Sequence, residues 1–217
     1  MFIYLHGFSS SPHSTKAEYL RQQFLRQSQQ IYIPDLNQGD FFHLSLSRQI
    51  QQVKALLSPE PDAEVGEAVT LIGSSFGGLT AAWLGEICPQ VDRLVLLAPA
   101  FQFLDHWLPR LGTAQIQAWQ TTGSMLTYHY SAKQSLPLGY QFVTDLAQYD
   151  ENLLQRPLPT LILHGRQDDV IPIQASRDFA TTRPWVKLIE LDSDHALVDV
   201  QAEIWQMICA FCQINSG

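Results

Sequence analysis

The chain has 217 residues and a formal charge of −8, with 46% apolar and 16% charged residues. This composition is typical of a globular protein, and the length fits one compact domain, residues 1–217, that carries an insertion. No cluster of Lys or Arg is present to neutralise phosphates, which excludes nucleic-acid binding and binding to an anionic membrane. The longest apolar stretch, Leu94 to Phe101, falls far short of the roughly 20 residues that span a bilayer.

Neither the first residues nor the cysteines point to secretion. Only four apolar residues separate Met1 from His6, and no basic residue precedes them, so we expect no signal peptide. Three cysteines are too few for a disulfide framework, and an odd number cannot all pair. They are also fewer than the four ligands that a structural zinc site requires. We therefore interpret Cys88, Cys209 and Cys212 as small core residues and expect a cytoplasmic protein without a metal.

Short apolar runs alternate along the chain with segments of helical periodicity. The runs are almost continuously apolar, as in parallel strands that are covered on both faces. A capping box, Thr15 to Glu18, predicts where the first helix begins. The alternation predicts right-handed crossovers and a mainly parallel sheet of about six strands flanked by helices. In chain order the predicted elements are strand Phe2–Leu5, a helix from Thr15 to about Gln29, strand Ile31–Ile33, a helix with Leu46, Ile50, Val53, Leu56 and Leu57 on one face, strand Val69–Ile72, helix Phe76–Cys88, strand Leu94–Leu97, strand Thr160–Leu163, helix Ile173–Ala180, strand Val186–Leu191 and helix Ala202–Cys212.

The alternation stops between residues 100 and 156, where no strand pattern occurs and aromatic residues are dense. A structureless loop of this length is uncommon in a compact domain, so we predict a small helical cap inserted on the sheet, called the insertion below. Its aromatic residues fit an apolar acyl or aryl pocket and fit the insertion's own core equally well. Trp107 and Tyr128 are candidate substrate contacts.

The segment Gly73-Ser74-Ser75-Phe76-Gly77 matches the G-x-S-x-G pattern of a nucleophile elbow. Alone the match is weak evidence, because roughly 0.07 chance matches are expected in a chain of this length. A predicted strand leads directly into the motif and a predicted helix leads out of it, which is the context that the elbow requires. We predict that Ser75 is a nucleophile. The alternative is a Gly/Ser turn that serves packing, whereas a phosphate loop is excluded because no Lys-Ser/Thr follows the glycines.

A serine hydroxyl needs a base to take its proton and a carboxylate to orient that base. In proteins with a nucleophile elbow, the acid and then the histidine come later in the sequence than the serine, each just after a strand. Asp168 follows the strand Thr160–Leu163, and His195 follows the strand Val186–Leu191. We expect both side chains at the carboxyl ends of their strands, around one crevice with Ser75.

These motifs resemble those of the α/β-hydrolase superfamily and, within it, small serine esterases and thioesterases of the YqiA type. The resemblance extends over nearly the whole chain in motif order. It implies that Asp168, three residues after the His-Gly dipeptide, is the acid, and that the backbone N–H groups of Phe8 and Phe76 form an oxyanion hole. The resemblance is specific at Leu5 to Pro12, Gly73 to Gly78, His164 to Pro172 and Ser193 to His195.

The sequence departs from the family pattern in two places. The chain begins on the strand that carries the oxyanion loop, so the two strands that usually precede it are expected to be missing. The segment Ile33-Pro34-Asp35-Leu36 matches the family's loop after its next strand, but the glycine-rich continuation is altered. Neither departure touches the three residues proposed for catalysis.

Other residues compete for these roles. Asp169 is an alternative acid, Asp194 is interpreted as a loop cap, and Asp145 would serve only if the insertion folded back. The neighbouring serines shape the oxyanion loop and the start of the next helix, and Ser9 among them is a candidate substrate contact. His6 and His164 are interpreted as buried residues that brace loops, whereas His13, His43, His106 and His129 show no ligand spacing and are expected to be solvent-exposed or cap residues.

The resemblance implies acyl transfer to water through an acyl-enzyme, without a cofactor. A carboxylic ester with a small to medium, apolar acyl group is the first choice of substrate, and an acyl thioester is the second. The charge of −8 counts against phosphate-rich CoA esters. A non-catalytic binding protein with the same fold is the alternative of another class. The sequence gives no indication of the oligomeric state.

Overall fold

The computed structural model describes residues 1–57 and 68–214. Outside residues 100–156, strands and helices alternate along the described chain, as the sequence predicts. A short 3₁₀ helix, Glu151–Leu153, precedes the seventh strand. The elements in chain order are β1 (Phe2–Leu5), α1 (Thr15–Arg26), β2 (Ile31–Tyr32), α2 (Leu46–Leu57), β3 (Val69–Ser74), α3 (Phe76–Ile87), β4 (Val91–Leu97), α4 (Phe103–Leu111), α5 (Thr113–Thr122), β5 (Ser124–His129), β6 (Gln134–Gly139), α6 (Gln141–Leu146), β7 (Thr160–Gly165), α7 (Ile173–Thr181), β8 (Val186–Leu191) and α8 (Gln201–Cys212).

Six of these strands form one parallel sheet in the order β2-β1-β3-β4-β7-β8. This confirms the predicted parallel sheet of about six strands flanked by helices. Leu5 pairs with Gly73 between β1 and β3, and Gly165 pairs with Leu191 between β7 and β8. Because the strands are parallel, the loops after β1, β3, β7 and β8 all leave from the same edge of the sheet, where ligands of such sheets bind.

Helix α1 differs slightly from its predicted bounds. Its N-cap is Ser14, whose hydroxyl accepts a hydrogen bond from the Ala17 N–H, so the cap lies one residue before the predicted capping box. The helix ends at Arg26, because Ser28 adopts a positive φ of 52° that no helical residue takes.

The segment between β4 and β7 contains helices α4, α5 and α6, but it also contains a two-stranded antiparallel hairpin, β5–β6, that the prediction of a helical insertion missed. The hairpin is hard to detect in the sequence for two reasons. Pro137 lies within β6, where it argues against a strand, and the residues between the strands carry no Asn-Gly or Asp-Gly turn signal. Most side chains of both strands are also at least partly exposed, so no strong apolar alternation marks them.

Apolar side chains form two cores, one on each face of the sheet. Strand alternation divides β1 between them, since Ile3 and Leu5 enter one core and Tyr4 enters the other. Trp119 and Phe142 of the insertion are almost fully buried in the first of these cores, which joins the insertion to the sheet. Within residues 1–57 and 68–214, no helix is long and apolar enough to cross a membrane.

All three cysteines are free thiols that lie in these cores. Cys209 and Cys212 lie on α8, on the face that packs against the sheet, and Cys88 follows α3. Burial raises the pKa of Cys212 to about 11, so this thiol stays protonated at neutral pH. These positions agree with the interpretation of the cysteines as small apolar core residues.

Candidate active site

Ser75 forms the turn between β3 and α3. Its φ of 54° and ψ of −120° place a residue with a side chain in a region that is normally avoided. Hydrogen bonds on both sides of the residue hold this conformation: the Ser75 N–H donates to the Leu97 carbonyl at 2.9 Å, and its own carbonyl accepts from the Ala100 N–H at 3.0 Å. The side chain is therefore held at the edge of the sheet, where it remains partly exposed.

The glycines of the motif are required by close approach of backbone segments. A Cβ on Gly73 would lie 2.3 Å from the Gly77 carbonyl oxygen, and a Cβ on Gly77 would lie 2.2 Å from the Leu5 carbonyl oxygen. No side chain fits at either distance, so only glycine allows the start of α3 to press against the end of β1. This contact brings the loop after β1 next to Ser75.

The structure brings together the three residues that the sequence singled out. Ser75 Oγ lies 3.0 Å from Nε2 of His195, and Nδ1 of the same ring lies 2.7 Å from Oδ2 of Asp168. The Asp168 side chain is fully buried, whereas 20% of the His195 side chain is exposed. Both distances are within reach for proton transfer from a nucleophile to a base that a carboxylate orients.

The Asp168 carboxylate is surrounded by hydrogen-bond donors. Oδ1 accepts from the backbone N–H groups of Val170 and Ile171 at 2.9 and 2.8 Å, and Oδ2 contacts His195 and, at 3.0 Å, Nε2 of His164. Burial by itself would raise the pKa of Asp168, but the hydrogen bonds from the two histidines outweigh it and hold the pKa well below its ordinary value. Asp168 therefore stays ionised throughout the neutral range.

The loop that carries His195 is ordered by its own side chains. Asp194 Oδ1 accepts hydrogen bonds from the N–H groups of Ala196 at 2.8 Å and Leu197 at 3.2 Å, which is the loop-capping role expected of it. Leu197 adopts a positive φ of 54° and is fully buried. These contacts hold the backbone on the C-terminal side of His195, so the imidazole projects toward Ser75.

The loop after β1 runs directly alongside Ser75. A Cβ on Gly7 would lie 3.2 Å from Ser75 Cβ and 3.8 Å from its Oγ. Phe8 follows Gly7 in this loop, and Phe76 is the first residue of α3, where a backbone N–H has no acceptor within the helix. The two N–H groups assigned to an oxyanion hole therefore belong to the two backbone segments that flank the serine.

The side chain of Phe8 lies in a group of packed aromatic rings, called the aromatic cluster below. Its ring centroid is 5.3 Å from that of Phe142 and 5.5 Å from that of Trp107, at angles typical of tilted and edge-to-face pairs. The insertion thus supplies rings that pack against the loop after β1, and these rings belong to the core while also bordering the site. The cluster consists of Phe8, Phe41, Phe76, Phe103, Trp107 and Phe142.

The three predicted substrate contacts lie in different environments. Trp107 is half-buried in the aromatic cluster. Ser9 is only 1% exposed, and its Oγ has no hydrogen-bond partner within the described residues, while its carbonyl accepts from the Tyr130 N–H at 3.0 Å. Tyr128 lies on the hairpin and is 50% exposed, with its ring 5.2 Å from that of Tyr130.

The alternative acids have other contacts. Asp169 is exposed, and its backbone carbonyl accepts from the Arg110 guanidinium. Asp145 Oδ2 accepts from the Ser47 N–H at 3.0 Å, near the beginning of α2. Among the described residues, the carboxylate that accepts a hydrogen bond from the ring of His195 belongs to Asp168 and not to either of these.

The other histidines divide into buried and exposed residues. His6 is fully buried, and its Nε2 accepts from the Leu36 N–H at 3.0 Å, so it braces the loop after β2 as expected. The expectation that His129 is exposed is wrong, because only 5% of it is exposed; its Nδ1 accepts from the Ala132 N–H at 3.2 Å, so the ring caps the turn that follows β5. It is buried because it ends a strand of the hairpin that the sequence did not reveal. His13 and His43 are exposed, and His106 is half-buried.

A cavity of about 600 Å³ lies between α4, α6 and α7, and Ser75, Asp168 and His195 are not among the residues that line it. Phe103 and Phe179 line it together with several carboxylates. In the ranges 1–57 and 68–214, no group of three or more His, Cys, Asp or Glu side chains is arranged to hold a metal ion.

The parallel sheet, the serine at a glycine-bounded turn after β3, and the Asp and His after β7 and β8 together define a protein with the α/β-hydrolase fold. The chain belongs to the Uncharacterised protein family (UPF0227), whose model matches residues 1–213. No curated protein matches the chain.

Solved structures with the same fold cover nearly the whole chain. A protein from Agrobacterium vitis S4 has a TM-score of 0.83 at 23% identity, with coverage of 99% of this chain and 87% of that one. Est1E from Butyrivibrio proteoclasticus with ferulic acid bound has a TM-score of 0.80 at 17% identity, with 98% and 87% coverage. The Pyrococcus furiosus esterase Pf2001 has a TM-score of 0.62 at 18% identity, with 100% and 83% coverage.

Proposed function

We propose that the protein is a serine hydrolase that cleaves carboxylic esters of small to medium, apolar acyl groups. The observation that carries this proposal is the continuous chain of hydrogen-bond contacts from Ser75 Oγ through His195 to Asp168, with distances of 3.0 and 2.7 Å. A packing role for the serine would not require a buried, ionised carboxylate two contacts away. This arrangement is the one that activates a hydroxyl for attack on a carbonyl.

In the first half of the reaction, Ser75 Oγ attacks the carbonyl carbon while His195 Nε2 takes the hydroxyl proton. Asp168 accepts from Nδ1 of His195, which keeps the lone pair of Nε2 directed at the serine and stabilises the imidazolium that forms. The backbone N–H groups of Phe8 and Phe76 donate to the oxyanion of the tetrahedral intermediate. Loss of one such donor costs on the order of 10²–10³ in rate in other enzymes.

When this intermediate collapses, the bond from its carbon to the ester oxygen breaks, His195 gives its proton to the leaving alcohol, and the acyl group remains bonded to Ser75, which completes the first half. Water then attacks the acyl carbonyl while His195 again takes a proton. The second tetrahedral intermediate collapses, the acid leaves, and the proton returns to Ser75. The sequence of steps requires no metal or organic cofactor.

The substrate class follows from what surrounds the serine. The aromatic cluster borders the oxyanion loop through Phe8 and offers an apolar surface to an acyl group, with Trp107 as its half-buried member. Ser9 and Tyr128 are the other proposed substrate contacts. A thioester would react by the same acyl-enzyme route and is the second candidate. The charge of −8 disfavours thioesters of coenzyme A, because that molecule carries several negatively charged phosphate groups.

The test is the intact mass of the full chain after exposure to a fluorophosphonate probe, which reacts with activated serines. The wild type, Ser75→Ala and the control Ser135→Ala, which changes an exposed serine of β6, are compared. We expect a single adduct on the wild type and on Ser135→Ala and none on Ser75→Ala, with unchanged circular dichroism. A folded wild type that forms no adduct would overturn the proposal in favour of a non-catalytic binding protein. A series of p-nitrophenyl esters and acyl thioesters of increasing chain length then separates the two substrate classes.

A further inference from the structure

A second histidine contacts the carboxylate that orients His195. His164 lies in β7 and is fully buried, with Nε2 at 3.0 Å from Asp168 Oδ2 and at 3.0 Å from the Ile171 carbonyl oxygen. Its other ring nitrogen, Nδ1, lies 2.8 Å from the hydroxyl of Ser176, which is also fully buried. The ring is therefore fixed by polar contacts at both nitrogens.

These contacts determine where the hydrogen on the ring must be. Both neighbours of His164 Nε2 are acceptors, a carboxylate oxygen and a backbone carbonyl, so Nε2 carries a hydrogen. Ser176 is both a donor and an acceptor, and in the neutral ring its hydroxyl donates to Nδ1. The Nε2–H of His164 thus lies between the Ile171 carbonyl, which accepts its hydrogen bond, and Asp168 Oδ2 at 3.0 Å, in the neutral ring and also if the ring is protonated.

Oδ2 of Asp168 is consequently shared between two imidazoles, while Oδ1 is taken by two backbone N–H groups. Each donor disperses part of the negative charge that would otherwise act on His195 alone. We propose that His164, supported by Ser176, is a positioning residue that weakens the hold of Asp168 on protonated His195 and so keeps His195 available as a base at lower pH. This inference rests on the proposed hydrolase function.

The sign of the effect is the same for both charge states of His164. If the ring is neutral, its removal takes away the positive end of an N–H dipole beside Asp168, and if it is charged, its removal takes away a cation. In either case Asp168 attracts protonated His195 more strongly, so a higher pH is needed to free the base. The acidic limb of the reaction rate should then move to higher pH.

Other charged groups near Asp168 do not produce this limb. Lys16 of α1 interacts electrostatically with Asp168 and Asp194. Burial lowers the pKa of Lys16 to about 8, against the opposing effect of the two carboxylates, so its charge is constant across the acidic range. Asp169 is exposed to solvent next to Asp168.

The test measures the second-order rate of fluorophosphonate labelling of Ser75 as a function of pH, in the full chain, for wild type, His164→Leu and His164→Gln. Leucine cannot donate, whereas the glutamine amide can replace the Nε2–H donor. For His164→Leu we expect the half-maximal pH of the acidic limb to rise by about 0.5–1 unit and the rate at about pH 6 to fall roughly three- to tenfold, with the high-pH plateau retained. His164→Gln should return the limb toward that of the wild type.

A merely structural role would give a different result. If His164 only packs in the core, both variants would lower the plateau and leave the half-maximal pH where it is, and this would overturn the inference. Ser176→Ala keeps the imidazole of His164 and removes only the hydroxyl that contacts its Nδ1, so this variant replaces His164→Leu if the latter does not fold. We expect the half-maximal pH to rise by a smaller amount. An unchanged half-maximal pH would count against the inference. Absence of labelling in the wild type would instead refute the proposed function.

Discussion

Gly165 and Ser193 lie so close together that a Cβ on Gly165 would be 2.3 Å from the Ser193 carbonyl oxygen. The same carbonyl accepts a hydrogen bond from the Gln167 N–H at 3.0 Å. The loop that carries Asp168 is thereby fastened to the loop that carries His195 by backbone contacts, to which Gln167 Nε2 adds a hydrogen bond to Asp192 Oδ1 at 2.6 Å. The absence of a side chain at position 165 therefore sets the separation of the carboxylate and the imidazole.

Replacement of Gly165 by alanine should separate these two loops. For Gly165→Ala we expect Ser75 labelling to slow by about 10²-fold or more, because a displacement of roughly 1 Å between catalytic groups costs this much. Gly112→Ala is the control, since Gly112 has a positive φ of 76° but a Cβ there would meet no atom of the described residues within 4 Å. Both variants should lower the unfolding temperature, but only Gly165→Ala should slow labelling. Equal labelling rates in the two variants would contradict this prediction.

The sheet and the main site were predictable because each depends on local sequence signals. Strands such as Leu94–Leu97 and Thr160–Leu163 are almost continuously apolar, as expected for parallel strands that are covered on both faces. Ser75, Asp168 and His195 each lie within a few residues of the end of a predicted strand, and parallel strands end at one edge. Pattern and position along the chain were therefore sufficient to predict that the three side chains would meet.

The features that were missed depend on contacts between distant segments or on the direction of a side chain. The β5–β6 hairpin has few buried apolar residues, so its sequence lacks the alternation of apolar and polar residues that indicates a strand. His129 was expected at the surface because the strand that it ends was not predicted. The His-Gly dipeptide pointed to Asp168, but no sequence pattern shows that the ring of His164 turns toward the same carboxylate oxygen.

Ser9→Ala tests whether the buried hydroxyl contacts substrate. An unpaired buried hydroxyl costs about 1–3 kcal/mol, so its removal should raise the unfolding temperature. If the hydroxyl binds substrate, ester turnover, measured as kcat/KM, should fall about tenfold in the same variant. Thr127→Val removes another buried, unpaired hydroxyl, from β5, and should stabilise the fold without changing turnover. Unchanged turnover in Ser9→Ala would remove Ser9 from the substrate contacts.

Trp107→Ala tests the proposed role of the aromatic cluster in acyl binding. Removal of a ring that packs 5.5 Å from Phe8 opens space beside the loop after β1, so the acyl-chain optimum should move to longer esters. The variant should also lose stability, by about 2–4 kcal/mol for a half-buried tryptophan. Leu126→Ala, on the hairpin and 70% exposed, is the control and should keep the wild-type profile. The measurement is kcat/KM across the ester series, and an unmoved optimum would show that Trp107 serves packing alone.

Glu151 should make the stability of the fold depend on pH near neutrality. Burial raises the pKa of this carboxyl to about 7, although the Gln102 N–H, which donates to its Oε1 at 2.8 Å, opposes the rise. Between the pKa of an unfolded glutamate, about 4.3, and about 7 the folded state binds more protons than the unfolded state, so stability falls as pH rises through this window. Above this window Glu151 is ionised in the folded state, and the free energy of unfolding is lowered by the full cost of burying its charge.

Glu151→Gln keeps the acceptor for Gln102 and removes the charge. We therefore expect the unfolding temperature to rise by about 2–5 °C at about pH 8 and to be unchanged at about pH 4.5, where the wild-type carboxyl is protonated in the folded state. Glu203→Gln changes an exposed residue of α8 and should alter the unfolding temperature by less than about 2 °C at either pH. Thermal unfolding of the three proteins at the two pH values decides the matter. If Glu151→Gln raised the unfolding temperature equally at both pH values, the prediction would be wrong. A charged carboxylate that destabilises the fold gives a difference between the two proteins only above its pKa.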